Sequence, residues 1–192
     1  QSLLTPSSTS SLTHLALSST DFSFDFSPVL NALPALPTLR TLSLCILFDK
    51  KALSMQGECV RKFLELNKEN LTELTLRPRP KGAGFVPPND GQTLTYLQTM
   101  FSNLVLPQIH TLDLALRPTS WRPFNQPEPS LNRPFLPPLP RVFPALRSLT
   151  IPCATLHSSE FTSVLETISS LPIETLSLHI DQLTPDCITL LA

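Results

Sequence analysis

The sequence predicts an α/β solenoid, in which short parallel strands alternate with helical segments and neighbouring units share one apolar core. Three observations carry this expectation. A pattern of aliphatic-x-x-Leu-x-aliphatic occurs six times in 192 residues. Leucine fills 38 positions, whereas charged residues are only 15% of the chain, against about 25% in an ordinary globular protein. The apolar period also changes, from two inside each block to about 3.6 between blocks.

The blocks are Leu12, Leu15, Leu17; Leu39, Leu42, Leu44; Leu71, Leu74, Leu76; Ile109, Leu112, Leu114; Leu146, Leu149, Ile151; and Ile173, Leu176, Leu178. Their starts lie 27, 32, 38, 37 and 27 residues apart, the loose period of a repeated unit with variable outer segments. The last four residues of each block alternate polar and apolar, as a short strand with one buried face does. Helical faces are expected between blocks, from Met55, Cys59, Phe63 and Leu66, from Leu94, Leu97, Phe101 and Leu104, and from Phe161, Val164, Leu165 and Ile168. Leu-Pro steps at Leu36-Pro37, Leu106-Pro107 and Leu171-Pro172 stop each helix before the next strand. A unit of strand, loop, helix and loop implies right-handed crossovers and parallel strands. No unit alone buries both its strand leucines and its helix face, but a stack does. Each leucine so removed from water contributes roughly 1.5 to 3 kcal/mol. Because helices are wider than strands, the stack is expected to curve with its strands on the concave side. Thr184-Pro185-Asp186 predicts one more helix start, close to the last residue given, as in a piece of a longer protein.

Composition removes several functional classes. Four glycines are too few for a collagen, and Gly82-Ala83-Gly84 leads into Val-Pro-Pro, not into a phosphate-binding helix. No apolar run is long enough to cross a bilayer. A net charge of -1 supplies no whole-chain field for nucleic acid or an anionic membrane, and neither is an expected partner. Cys45, Cys59, Cys153 and Cys187 are scattered without zinc spacing. A chain with so large a core does not need disulfides, so reduced thiols and an intracellular location, cytoplasmic or nuclear, are expected. No signal sequence is visible at the start of the given residues. No cofactor and no metal are expected.

At its six Leu-x-x-Leu-x-Leu blocks the chain resembles the leucine-rich-repeat family, over about Ser11 to Ala192. The resemblance implies an irregular solenoid like that of ribonuclease inhibitor, with helices and loops on the convex side. The uneven period and helical outer segments look like the leucine-rich tails of fungal F-box proteins. That likeness implies a substrate receptor of a ubiquitin ligase, whose Skp1-type adaptor would bind through an F-box segment that this chain lacks. In place of the asparagine or cysteine that the family carries after each strand stand Thr20, Leu47, Arg79, Arg117, Ala154 and Asp181. The side-chain ladder that satisfies loop backbone groups in regular repeats is therefore absent.

The non-leucine strand positions are the candidate partner-binding residues. They are His14, Ala16 and Ser18; Thr41, Ser43 and Cys45; Glu73, Thr75 and Arg77; Thr111, Asp113 and Ala115; Ser148, Thr150 and Pro152; Thr175, Ser177 and His179. Half are Ser or Thr, which suit solvent and cross-strand contacts with or without a partner. A protein partner would find small side chains there, with Glu73, Arg77 and Asp113 to fix its register. Two proline-rich stretches, 77–91 and the insertion 117–144, follow adjacent strands and are expected to form a basic rim with Trp121, Arg122 and Arg141 as contact candidates. The run Phe135 to Arg141 also reads as a PxxP ligand.

Catalytic patterns are weaker. His110 and Asp113 lack a nucleophile motif, and His157 with Glu160 supplies only two metal-type side chains, with Ser158 and Ser159 better read as helix caps. Asn70-Leu71-Thr72 is a glycosylation sequon without meaning inside a cell. The expectation is a non-catalytic recognition module in a single repeat domain. Alternatives are a scaffold that binds through its proline-rich loops and, of another class, a hydrolase using His110 or His179.

Overall fold

In the computed structural model, residues 11–18, 26–47, 53–79, 97, 99–114, 138–156 and 158–183 are described. Each of the six blocks forms a strand: β1 His14–Leu17, β2 Thr41–Leu47, β3 Glu73–Arg79, β4 Thr111–Leu114, β5 Ser148–Leu156 and β6 Thr175–Leu183. They make one sheet in chain order, with every neighbouring pair parallel. The register is that of the sequence blocks. Leu15, Leu42, Leu74, Leu112, Leu149 and Leu176 stand in one row across the sheet. Side chains alternate along a strand, so this register puts the second and third apolar residues of every block on one face.

Parallel neighbours require crossovers, and each contains helical residues. These are α1 Ser27–Ala32, α2 Leu53–Asn67, α3 Leu139–Val142 and α4 Ser158–Ile168, with Leu97, Thr99 and Met100 helical between β3 and β4. Pro28 stands in the first turn of α1, where its missing N–H costs nothing. The helical layer and the leucine face enclose one core. Leu39, Leu42, Leu71, Leu74, Ile109, Leu112, Leu146 and Leu149 are fully buried there, beside Leu64, Met100 and Leu139. Phe101 and Phe143, from successive crossovers, meet edge to face at 5.1 Å and 79°.

The buried face of α2 differs from the expected one. Leu66 is 57% exposed, while Gln56, Val60, Phe63, Leu64 and Asn67 are buried. Those residues follow the helical period too, rotated from the face defined by Cys59 and Leu66. The polar Gln56 and Asn67 interrupt the apolar pattern at its two ends, which hides the true stripe. Met55 and Phe161 have side chains outside the described residues, as has all of Leu94. On α4, Val164 and Ile168 are buried and Leu165 is packed against the core, as expected.

The prolines ahead of the strands do more than stop helices. The carbonyl of Leu36 accepts the N–H of Leu39 at 3.0 Å, Leu106 that of Ile109 at 3.3 Å, and Phe143 that of Leu146 at 3.1 Å. In each, proline is the second residue of a four-residue β-turn, where its fixed φ fits. At Leu171-Pro172-Ile173 the turn is one residue tighter, closed at 2.8 Å.

Backbone groups at the strand starts are paired from unit to unit. At all five junctions, the carbonyl just before one strand accepts two N–H groups from the next unit. Thr13 accepts from Arg40 and Thr41, Arg40 from Thr72 and Glu73, Thr72 from His110 and Thr111, His110 from Arg147 and Ser148, and Arg147 from Glu174 and Thr175, at 2.8 to 3.2 Å. Two more links join the turns. The N–H of Leu106 donates to the carbonyl of Val142 at 2.7 Å, whereas the N–H of Leu36 donates to Oδ1 of the buried Asn67 at 2.8 Å.

The PxxP reading is corrected here. Leu139 is fully buried, and Leu139, Pro140 and Arg141 lie in the single turn of α3, so this end of the run is not extended; residues 135–137 lie outside the described residues. The last part of the 117–144 insertion is thus core, since Val142 and Phe143 are buried as well. Among the described residues, no helix is long and apolar enough to cross a membrane.

Candidate functional site

The face of the sheet opposite the helices gathers the predicted strand positions into rows. The first row runs His14, Thr41, Glu73, Thr111, Ser148, Thr175, and the second runs Ala16, Ser43, Thr75, Asp113, Thr150, Ser177. Cys45 pairs with Arg77 and Pro152 with His179 in a third. Parallel strands lie about 4.8 Å apart, so six of them present a surface roughly 24 Å wide. Its members are half-buried or exposed rather than sunk in the core, apart from His179 and Pro152, whose side chains lie outside the described residues. Ser18 is exposed just past β1. Residues 115, 121 and 122, and with them Ala115, Trp121 and Arg122, lie outside the described residues, as does most of the proposed basic rim.

Charge on this face is concentrated on the two middle strands. Arg77 Nη2 stands 3.8 Å from Asp113 Oδ2, an ion pair whose side chains are 64% and 25% exposed. Glu73 Oε2 accepts from Thr41 Oγ1 at 3.2 Å. Alternation places Glu73 and Arg77 on the same face of β3, with Thr75 between them and Asp113 beside Thr75 in register. To either side the rows are neutral: Thr41, Ser43 and Cys45 on β2, Ser148 and Thr150 on β5. At the margin, Thr13 Oγ1 and His14 Nδ1 lie 2.7 Å apart, Arg40 Nη1 donates to the Asn70 carbonyl at 3.0 Å, and Arg147 pairs with Glu174. Chemically, such a surface offers hydroxyl donors and acceptors and a few charges in fixed order.

Arg141 is not part of this face. It is in α3, within the helical layer, and its Nη2 donates to Asn103 Oδ1 at 3.4 Å. Asn103 has φ 56°, the left-handed conformation that asparagine tolerates where a helical segment ends. His110 is exposed one residue ahead of β4, and its carbonyl serves the junction ladder. His157 lies outside the described residues. Among the described residues, no cluster of three or more His, Cys, Asp or Glu can hold a metal ion. Cys45 and Cys59 are free thiols.

Among the described residues, the displaced ionisations lie on α2 and at its C-terminal end, away from the face. Glu58 is held below the usual carboxylate range by its hydrogen bond from Arg61, against a smaller opposing effect of desolvation. Lys68 is held above the usual lysine range by its hydrogen bond to Glu65 at 2.8 Å. These are solvated helix pairs three residues apart. The residue that sequence reasoning missed is Asn67. Besides accepting from Leu36, it donates through Nδ2 to the Phe63 carbonyl at 2.8 Å, and its own carbonyl accepts from Asn70 and Leu71 at 3.1 Å. Its one visible signal was an asparagine a few residues before a strand block.

No family model, curated protein or solved structure matches the chain.

Proposed function

We propose that the chain is an irregular leucine-rich-repeat solenoid acting as a non-catalytic protein-recognition module, with the face opposite the helices as its binding surface. The observation that carries this reading is the register. Six strands align their intervening side chains into rows of small polar groups, with a charged centre at Glu73, Arg77 and Asp113. A partner meeting such a surface loses little side-chain entropy on it, because Ser and Thr have few rotamers to freeze. The charged centre sets orientation more than affinity. The likeness to F-box tails extends the proposal to a substrate-receptor arm of a ubiquitin ligase, with a Skp1-type adaptor held by a separate F-box segment.

The test places a photo-reactive side chain at Thr75 or Thr150 on the open face, and at Glu65 on the helical side, in the protein expressed in cells. Adducts to the same partner are expected from Thr75 and Thr150 and not from Glu65. Charge reversal at Glu73, Arg77 or Asp113 should weaken that adduct while the thermal transition stays in place. Adducts from Glu65 alone, or unchanged capture by all three reversals, would move the binding surface elsewhere. Co-purification of a Skp1-type adaptor with the protein carrying its natural upstream segment tests the ligase assignment.

A further inference from the structure

We draw no further inference here: the strongest candidate, the outer edge of β6 with the half-buried Ile173, Leu176 and Leu178 behind it, carries nothing, because nothing in the structure shows what covers it.

Discussion

Leu15, Leu112 and Leu176 hold the same position in the same sequence block and the same row of the sheet, yet they do not share an environment. Leu112, on β4, is fully buried between two neighbouring strands, while Leu15 on β1 and Leu176 on β6 are only packed against the margin of the core. The same contrast holds for Leu17 and Leu178 against Leu44 and Leu76. The block therefore specifies which way a leucine points. Its neighbours specify how much water it loses. In a stack, stability is the sum of unit terms and of contacts between adjacent units, and an end unit has one such contact among the described residues.

The largest expected effect breaks this contrast directly. Leu112→Ala should cost about 2 to 5 kcal/mol, as for a fully buried leucine, and Leu15→Ala distinctly less. Urea denaturation of both variants measures the difference; equal losses would mean that the end strand is as enclosed as the middle one.

Next comes the buried Asn67. Replacing it with alanine orphans the Leu36 N–H and is expected to cost about 1 to 3 kcal/mol. Hydrogen exchange should then show protection lost at Leu36 and kept at Leu106, whose N–H is served by the Val142 carbonyl instead. Loss at both amides would mean that the two turns are coupled.

Smaller still is the Arg77–Asp113 pair. At 3.8 Å and with the arginine mostly exposed, a double-mutant cycle should give about 0 to 1 kcal/mol, falling with added salt. A larger, salt-insensitive coupling would mark the centre of the open face as desolvated, like the leucine face behind it.

The smallest effect concerns acid. The carboxyl of Glu58 has its folded pKa below its unfolded one, so its stabilising contribution is present above the unfolded value and fades as pH falls through the folded value. Glu58→Gln should flatten that part of the acid-unfolding profile. Lys68 has the opposite sense: its contribution is present below the unfolded lysine pKa and fades as pH rises through the folded one.

How much of this was legible in the sequence differs between the strands and the crossovers. The strands were readable because a period of two is local: Leu74 and Leu76 point inward, and Glu73, Thr75 and Arg77 outward, whatever else the chain does. The candidate face was readable for the same reason, since equal blocks paired in register must align their intervening residues. The helical layer was less so. On α2 several faces rich in apolar residues compete, and the expected face took in Leu66, which is exposed, where the structure buries Leu64. Leu139 and Arg141 read as a peptide ligand because proline-rich sequence suits both an extended segment and a first helical turn.

What the amino-acid sequence determined by itself is the unit: a strand with leucines on one side, a change to helical period, and a proline that stops the helix before the next strand. These follow from backbone geometry and side-chain shape over a few residues. Only the tertiary structure decided which side of α2 is buried and that Asn67 holds the Leu36 turn. It also decided that the middle leucines are dry and the outer ones half wet. Burial and hydrogen-bond satisfaction belong to groups brought together from distant parts of the chain, here Leu36 and Asn67 across 31 residues, and no local pattern encodes that meeting.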